Sequence, residues 1–252
     1  MKALITGASS GIGRDMARYL AAQGWDLILV ARRENRLNEL KKELSDVSIR
    51  TIVTDVGNAE CCRELYAMTK DDGVDMLINN AGFGLAGEFS ATDLDVELNM
   101  IDVNIRALHI LTKLFLRDFI ARDSGVILNV ASSAGFMPGP LLSTYYATKN
   151  YVLRLTEAIY EELRRRGSRV KVSALCPGPV NTEFNDVAKV RFAVKGISSE
   201  DCARIAIDGA LKGKLIIVPS GMLKVGLFFK HFVSEKLLLK LAYSFQRKKN
   251  ER

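Results

Sequence analysis

Residues 2–23 of the chain read KALITGASSGIGRDMARYLAAQ. This stretch predicts a strand over Lys2–Thr6, a glycine-rich turn, and a helix over Gly11–Gln23. Glycines let the backbone turn tightly and approach a ligand closely, and the helix behind them presents free N–H groups and the positive end of its dipole. The placement of the turn between a first strand and a first helix favours a pyrophosphate site over a turn that binds nothing.

The rest of the chain repeats the same unit of strand and helix. Further strands, nearly continuously apolar as in a buried parallel sheet, are predicted over Asp26–Ala31, Ser48–Thr54, Val74–Asn79, Gly125–Ala131, Arg169–Leu175 and Lys214–Val218. Helices are predicted between them over Glu34–Leu44, Ala59–Asp71, Asp95–Ala121, Thr144–Arg166 and Ser199–Leu211. This alternation predicts an α/β fold, a Rossmann-type doubly wound parallel sheet of about seven strands with helices on both faces.

Length and composition favour a single domain. The 252 residues are 48% apolar and 26% charged, which is close to the globular average and excludes disordered or collagen-like chains. Residues 1–220 are expected to form a dinucleotide-binding and catalytic domain, and residues 221–252 a separate basic segment. The stretch Asn181–Ile197 shows no clean period and is expected to be a long loop or lid.

Cysteine usage and hydropathy bear on the compartment. The two adjacent and two isolated cysteines are expected to be reduced thiols, and the two histidines lack ligand spacing, so no metal site is expected. No apolar run reaches the roughly 18 residues of a transmembrane helix, and the first strand leaves no room for a leader peptide. A cytoplasmic protein is therefore expected.

The net charge of +7 is concentrated at the C-terminus. Residues 222–252 hold eight basic and two acidic side chains, whereas the first 221 residues hold 28 and 27. A nearly neutral body gives no reason to expect nucleic-acid binding. Four interpretations of the basic amphipathic segment stay open: peripheral contact with an anionic membrane, a lid over the cleft, a subunit contact, or a helix packed on the body with a solvated face.

The second strand ends in Arg32 and Arg33, at a point where a site for NAD usually has an acid that binds the ribose 2′-hydroxyl. Guanidinium groups suit a 2′-phosphate instead, so the sequence favours NADP(H) over NAD(H). Arg14, directly after the glycines, adds a third cation. Two alternatives stay open: the arginines are merely solvated, or Glu34 reaches the ribose.

A serine, a tyrosine and a lysine form the second constellation. Tyr145 and Lys149 are four residues apart on one predicted helix and can point the same way, and Ser132 follows a predicted strand. A nearby ammonium is expected to bring the tyrosine pKa closer to neutral pH, and the serine to hold a substrate oxygen. Ser133 and Tyr146 compete for these roles, and a half-buried helix face is the plainer interpretation of the tyrosine and lysine alone.

Six motifs in order resemble those of a classical short-chain dehydrogenase/reductase, and the resemblance covers about residues 2–218. The motifs are T-G-x-x-x-G-x-G at Thr6–Gly13, N-N-A-G at Asn79–Gly82, the helix asparagine Asn104, N-x-x-S at Asn129–Ser132, Y-x-x-x-K at Tyr145–Lys149, and P-G-x-V-x-T at Pro177–Thr182. Each motif is weak alone, but their order on matching elements is specific. No core motif is missing, so an inactive relative is not expected.

The resemblance implies hydride transfer between a nicotinamide cofactor and a carbonyl or secondary alcohol. Ser132 would polarise the carbonyl, Tyr145 would donate the proton, Lys149 would lower the tyrosine pKa and bind the nicotinamide ribose, and Asn104 would hold a water. The cofactor would also contact Gly7, Ser9, Ser10, Gly11, Ile12, Arg32, Asp55, Val56, Asn80, Ala81, Gly82, Pro177, Gly178, Val180 and Thr182. Asn80 would also brace the sheet. A homodimer or homotetramer through the two long central helices is expected.

The substrate is less determined. The candidate pocket residues are largely apolar, namely Phe83, Phe136, Met137, Leu141, Leu142, Phe184 and Phe192. If they line a cleft, the substrate is a lipophilic ketone or aldehyde, such as a 3-oxoacyl thioester or a steroid-like ketone, and broad carbonyl specificity also stays open. Packing in the core is the plainer alternative for several of them. Two other classes compete: a catalytically silent NADP(H)-binding protein, and a membrane-surface protein acting through its basic segment.

Overall fold

A parallel sheet organises the chain. The computed structural model describes residues 1–184, 188, 196–221, 223 and 234–250. Within these residues the sheet has seven strands, in the order β3-β2-β1-β4-β5-β6-β7 and parallel throughout. The strands are β1 Lys2–Thr6, β2 Asp26–Ala31, β3 Ile49–Val53, β4 Met76–Asn79, β5 Val126–Val130, β6 Lys171–Leu175 and β7 Ile216–Ile217. The predicted doubly wound fold is confirmed.

The helices cover both faces of the sheet. They are α1 Gly11–Ala21, α2 Glu34–Glu43, α3 Ala59–Thr69, α4 Leu94–Ile101, α5 Leu108–Ala121, α6 Ser143–Arg166, α7 Ser199–Leu211 and α8 Glu235–Asn250. Side chains of α1, α2 and α7 fill one hydrophobic core, and side chains of α3, α5 and α6 fill a second core on the opposite face. Central strands buried on both faces explain why their sequences are continuously apolar.

The strand order creates a crevice beside β1. The chain passes outward from β1 to β3 and then returns to place β4 on the other side of β1. The turns that follow β1 and β4 therefore diverge at the carboxyl edge of the sheet, and open α/β sheets bind ligands at such a point. The predicted site motifs that follow β1, β4, β5 and β6 all lie at this edge.

The predicted single helix Asp95–Ala121 is wrong in one respect. The structure has α4, then a π-helical segment at Asp102–Ala107, then α5. The N-terminus is set by Asp93, whose carboxylate accepts the N–H groups of Asp95 and Val96 at 2.9 and 3.1 Å. A single widened turn within a helix often marks a functional site, and this one contains Asn104, whose contacts are described below.

Other element boundaries are shorter than predicted. The strand predicted over Lys214–Val218 reduces to the two residues of β7, and the helix predicted over Ala59–Asp71 ends at Thr69. Apolar runs extend beyond the last ladder hydrogen bond, so they overestimate strand length. Most of the predicted loop Asn181–Ile197 and much of residues 222–252 lie outside the described residues, and Phe192 is among them.

A chain of buried polar side chains joins β4 and β5 to the helices. Asn79 donates from Nδ2 to Thr112 Oγ1 and to Asn129 Oδ1, both at 2.9 Å. Asn129 donates in turn to Thr156 Oγ1 at 3.0 Å. All four residues are buried, so each bond satisfies a group that water cannot reach. The network ties the two strands that carry the central site motifs to α5 and α6.

Two further observations concern the cysteines and the hydropathy of the helices. All four cysteines are free thiols, and Cys62, Cys176 and Cys202 are buried. Burial raises the pKa of Cys62 to about 11, which keeps that thiol protonated at neutral pH. Among the described residues, no helix combines the length and the apolar character that crossing a bilayer requires.

Replacing Asn129 with leucine tests the buried network. Asn129→Leu keeps the side-chain size but leaves buried donors on Asn79 and Thr112 with fewer partners. We expect the free energy of unfolding to fall by roughly 1–3 kcal/mol, measured by urea denaturation. Asn38→Leu, at an exposed position of α2, is the control and should stay within about 0.5 kcal/mol. Equal effects of the two substitutions would contradict the network.

Candidate active site

The glycine-rich turn packs so closely that side chains are excluded. Gly7 and Gly11 have positive φ angles of 66° and 53°, a region that glycine adopts without strain. A Cβ on Gly13 would lie 2.3 Å from Asn80 Nδ2 and 2.5 Å from the Gly7 carbonyl oxygen. α1 begins at Gly11, so its free N–H groups lie directly behind the turn. This geometry fits the predicted pyrophosphate cradle.

Asn80 holds the turn in place. Its Nδ2 donates to the carbonyl oxygens of Thr6 and Gly7 at 3.0 and 3.1 Å. Its backbone N–H and that of Ala81 donate to Thr6 Oγ1 at 3.0 and 3.1 Å. Asn80 therefore joins the ends of β1 and β4, as the resemblance implied, but the link between β4 and β5 is made by Asn79 instead.

The predicted adenosine-end residues separate into two groups. Arg32 is mostly exposed, and its Nη1 lies 3.7 Å from Asp55 Oδ2. Arg33 instead points back to the turn, where its guanidinium donates to Ser9 Oγ at 3.1 Å and to Ser10 Oγ at 2.7 Å. The side chain of Val56 is buried in the hydrophobic core, which leaves its backbone as the part that can contact a ligand.

Ser132 and Tyr145 lie close together at the carboxyl edge of the sheet. Ser132 follows β5, and its Oγ accepts the N–H of Ala134 at 3.1 Å, which fixes its orientation at the start of a 3-10 helix. Tyr145 lies in the first turn of α6, close enough to Ser132 that the serine side chain lowers the pKa of the tyrosine hydroxyl. The structure therefore favours Ser132 and Tyr145 over their competitors, because Tyr146 instead accepts a hydrogen bond from Gln246.

Burial controls the protonation of Tyr145. Loss of solvation raises the pKa of Tyr145 to about 12, and the Ser132 side chain opposes this only in part. The expectation that Lys149 brings the tyrosine pKa toward neutral is not met in this structure. The lysine ammonium lies 5.9 Å from the centre of the tyrosine ring, so desolvation outweighs its attraction for a phenolate. Tyr145 is thus a protonated hydroxyl at neutral pH.

Lys149 lies beneath the tyrosine in a buried position. Its Nζ donates to the Val130 carbonyl oxygen at 2.8 Å, and only 5% of the residue is exposed. Burial lowers the pKa of Lys149 to about 8 from its ordinary value near 10.5. A Cβ on Gly82 would lie 2.9 Å from Asn104 Oδ1 and 3.3 Å from Nζ, so a side chain there would crowd both groups.

Asn104 lies in the widened helical turn and holds the loop after β4. Its Oδ1 accepts the N–H of Phe83 at 3.0 Å, and its Nδ2 donates to the Phe83 carbonyl at 2.9 Å. Nδ2 also donates to Thr148 Oγ1 at 3.0 Å, and that hydroxyl donates to the Tyr145 carbonyl at 2.7 Å. The asparagine therefore connects the loop after β4 to the first turn of α6. These contacts make it a positioning residue for Tyr145 and Lys149.

The loop after β6 lies across the opening of the crevice. We call residues 177–184 the covering loop. The Pro177 carbonyl accepts the N–H of Ser133 at 2.8 Å, and Val180 forms a parallel bridge with Ile197. Thr182 lies over the glycine-rich turn, where a Cβ on Gly11 would be 3.1 Å from its methyl group. Gly178 faces away from this turn, toward Leu223.

The candidate pocket residues divide by position. The Phe184 ring lies 5.3 Å from the Tyr145 ring, and Leu142 and Tyr146 pack in the same small cluster. Phe83 instead packs against the core of α3, α5 and α6, and Phe136 packs against a smaller cluster that includes Val152 and Val218. Met137 and Leu141 are half-buried beside the cluster, and Leu141 has an unusual positive φ of 64°. The apolar surface next to Tyr145 therefore comes mainly from Phe184 and Leu142.

The C-terminal helix α8 is docked on the site. Only 3% of Gln246 is exposed, and its Nε2 donates to Tyr146 Oη at 2.6 Å. The Tyr146 ring is 6.2 Å from the Tyr145 ring. Leu237, Leu241 and Tyr243 of the same helix face solvent. The described part of the basic segment thus lies beside the catalytic candidates, a position that fits both a lid and a helix packed on the body with a solvated face.

Several contributors to the site escaped sequence reasoning. Thr148 links Asn104 to Tyr145, Gln246 meets Tyr146, and Glu183 pairs with arginines of α2. A threonine next to the lysine and a glutamine in a basic tail carry no local signal, because their partners are 44 and 100 residues away in sequence. Glu183 directly follows the P-G-x-V-x-T motif, and only that position could have drawn attention to it.

Comparison with known proteins identifies the family. A family model described as short chain dehydrogenase matches residues 1–190. The chain is 36% identical over 188 residues to an uncharacterized oxidoreductase from Staphylococcus saprophyticus, covering 73% of this chain and 80% of that protein. The chain therefore belongs to the short-chain dehydrogenase/reductase family, whose members are oxidoreductases, as the six motifs indicate.

Solved structures agree with this assignment. A short-chain dehydrogenase from Sphingobium yanoikuyae in complex with NADPH is 31% identical, with a TM-score of 0.82 over 87% of this chain and 88% of that one. A family member from Burkholderia phymatum in complex with NAD is 26% identical, with a TM-score of 0.83 over 91% and 92%. A bulky-bulky ketone specific alcohol dehydrogenase from Comamonas testosteroni is 29% identical, with a TM-score of 0.77 over 86% and 85%.

The buried ammonium predicts a specific dependence of stability on pH. Between pH 8 and 10.5 the unfolded chain holds a proton on Lys149 that the folded chain has released. The free energy of unfolding therefore increases as the pH rises through this range. Lys149→Met removes this gain. We expect the difference in unfolding free energy, wild type minus variant, to rise by roughly 1–3 kcal/mol from pH 7 to pH 10 in urea titrations.

The tyrosines and cysteines that titrate in the same range are common to both proteins and cancel in this difference. Lys113→Met, at an exposed position of α5, is the control and should run parallel to wild type at every pH. A difference between wild type and Lys149→Met that stays constant from pH 7 to pH 10 would contradict the buried ammonium.

Proposed function

We propose that the chain is an NADP(H)-dependent oxidoreductase that reduces a ketone or aldehyde, or oxidises the matching secondary alcohol. The observation that carries the proposal is the proximity of Ser132 and Tyr145 to the buried ammonium of Lys149. These three groups meet at the carboxyl edge of the sheet, next to the glycine-rich turn. A proton donor, an oxygen-binding hydroxyl and a cation are what carbonyl reduction requires of a protein.

The residues around the crevice fit a nicotinamide dinucleotide. Close packing of the chain excludes side chains at Gly7, Gly11 and Gly13, and the free N–H groups of α1 lie directly behind this turn. Gly82 packs as tightly against Asn104 and Lys149. When bound, the nicotinamide supplies or accepts the hydride. Ser9, Ser10 and Ile12 would hold the pyrophosphate, Ala81 and Asn80 would lie along the cofactor, and Thr182 would cover it.

The chain itself supplies the proton and its control. With its pKa raised to about 12, Tyr145 carries its proton at neutral pH and donates it to the developing alkoxide in the direction of reduction. The Ser132 Oγ accepts a hydrogen bond from the Ala134 N–H, which orients the side chain. Its own hydroxyl hydrogen is then donated to the substrate oxygen. Lys149 stays an ammonium below about pH 8, and its positive charge stabilises the phenolate that proton transfer leaves behind.

Asn104 acts on these groups through position. Both of its N–H donors are used, one by Phe83 and one by Thr148. We propose that it keeps the widened turn open so that a water can connect Lys149 to solvent. Such a path would return the proton that Tyr145 loses in each turnover.

The preference for NADP(H) rests on the arginines after β2. Arg32 and Arg33 supply two cations at the point where a ribose 2′-substituent would lie, and Ser10 adds a hydroxyl. No acid follows β2 directly, since Glu34 comes third and is exposed. The NADPH complex of the Sphingobium protein accords with this preference, whereas the NAD complex of the Burkholderia protein shows that both cofactors occur among similar chains.

The substrate is proposed to be lipophilic. Phe184 lies against the Tyr145 ring and packs in one apolar cluster with Leu142, and α8 adds cover through Gln246. The similarity to an alcohol dehydrogenase specific for bulky ketones supports this class. A 3-oxoacyl or steroid-like carbonyl fits such a surface.

Self-association is part of the proposal. α4 exposes three large apolar side chains, with 67% of Leu94, 39% of Val96 and 49% of Leu98 accessible. Phe89, just before this helix, is 67% exposed. An apolar patch of this kind on a helix favours a contact with a second copy, which accords with the homo-oligomer expected from the central helices.

Loss of the tyrosine hydroxyl tests the mechanism. Tyr145→Phe removes the proton donor, so kcat should fall by about 10²–10⁴. The substitution leaves the predicted pyrophosphate contacts intact, so the Kd for NADPH should stay within about twofold. Turnover is followed as NADPH oxidation with a panel of lipophilic ketones and aldehydes, and Kd by calorimetry. Tyr146→Phe is the matched control and should retain most activity. Normal turnover in Tyr145→Phe would refute the mechanism.

Charge reversal after β2 tests the cofactor preference. Arg32→Asp replaces a cation that suits a 2′-phosphate by an acid that suits a 2′-hydroxyl. We expect the ratio of NADPH to NADH affinity to shift toward NADH by about tenfold or more, which corresponds to about 1.4 kcal/mol. Arg165→Asp, at the far end of α6, controls for net charge. An unchanged ratio in Arg32→Asp would remove the assignment of Arg32.

A further inference from the structure

A carboxylate of the covering loop reaches across the crevice to α2. Glu183 Oε2 accepts Arg33 Nη1 at 3.0 Å, and Oε1 accepts Arg36 Nη1 at 2.5 Å. These partners are about 150 residues away in sequence, so the contact depends on the fold rather than on local structure. All three side chains are between 35% and 44% exposed, which leaves the pairing open to competition from a dissolved ligand.

The same guanidinium also holds the glycine-rich turn. Arg33 Nη2 donates to Ser10 Oγ at 2.7 Å and to Ser9 Oγ at 3.1 Å while Nη1 is bound to Glu183. Arg33 precedes α2 and Arg36 lies in its first turn, so the carboxylate also faces the positive end of the helix dipole. Two guanidinium groups, two hydroxyls and a helix N-terminus form a set of donors that suits a phosphate monoester as well as a carboxylate.

We infer that Glu183 is a specificity-determining residue, an internal carboxylate that occupies the anion site of Arg33 and Arg36 and that the 2′-phosphate of the cofactor must displace. The inference rests on the proposed NADP(H) function, which it deepens. A cofactor without the 2′-phosphate leaves the pairing intact, so Glu183 weakens the binding of NADP(H) relative to NAD(H). Thr182, the neighbour of Glu183, covers Gly11. A 2′-phosphate that displaces Glu183 would therefore also shift the covering loop over the glycine-rich turn.

The protonation of Glu183 supports this competition. The two arginines lower the pKa of Glu183 below its ordinary value, so the group is a carboxylate throughout the neutral range. Arg32 differs from Arg33 in this respect, since its acid Asp55 lies 3.7 Å away and is itself half exposed. Arg32 is thus available to a phosphate directly, whereas Arg33 and Arg36 become available only when Glu183 moves.

Glu183→Gln tests the inference with two adenosine ligands that differ only in the 2′-phosphate. Adenosine 2′,5′-bisphosphate and 5′-AMP are titrated by calorimetry into wild type and variant, alongside NADPH and NADH. Removing the competing charge should tighten the bisphosphate roughly three- to tenfold, as expected for two partly exposed ion pairs, and change the 5′-AMP affinity by less than twofold. Glu39→Gln, the same charge change at an exposed position of α2, should alter neither by more than twofold.

The alternatives give different results. If Glu183 instead fastens the covering loop over a bound cofactor, Glu183→Gln weakens both ligands equally, and that result overturns the inference. An unchanged ratio of the two affinities, or an equal effect of Glu39→Gln, also overturns it while leaving the proposed function in place. Wild-type protein that binds neither NADPH nor NADH overturns the proposed function and this inference together.

Discussion

The amide of Asn80 is the contact on which the rest of the site depends. By donating to the carbonyls of Thr6 and Gly7 it joins the carboxyl ends of β1 and β4, the two strands between which the sheet reverses its winding. The amide can approach so closely only because Gly13 has no side chain. The phosphate turn, the start of α1 and the loop that receives Asn104 are all positioned from this point, so a steric condition on one glycine sets the geometry of the crevice.

A second set of constraints places the reactive groups. Lys149 and Tyr145 lie on the first two turns of α6, but their depth is set by the buried network behind them, which runs from Asn79 through Asn129 to α6. Burial then has opposite consequences for the two groups, because desolvation disfavours whichever form is charged. Burial raises the pKa of Tyr145, so the tyrosine keeps its proton, and it lowers the pKa of Lys149, so the lysine binds its proton less tightly. One physical cause thereby prepares both the acid and the cation.

In the proposed cofactor site, the adenosine end would bind by competition between charges rather than by burial. Arg32, Arg33 and Arg36 are all partly exposed, and each lies near a carboxylate of the chain itself. A ligand phosphate must therefore compete with Asp55 and Glu183, and its affinity reflects a difference between similar interactions. The nicotinamide end and the adenosine end thus differ in principle: the first is preorganised by packing, and the second is adjustable by single surface charges.

The sequence by itself determined the sheet, the helices on its two faces, the glycine-rich turn and the order of the motifs, because these depend on hydrophobic periodicity and on local steric limits. It also indicated Ser132, Tyr145 and Lys149. Only the tertiary structure decided that the long helix widens at Asn104, that burial outweighs Lys149 in setting the pKa of Tyr145, and that Glu183 and Gln246 join the site. Each of these depends on solvation or on partners distant in sequence, which no local pattern records.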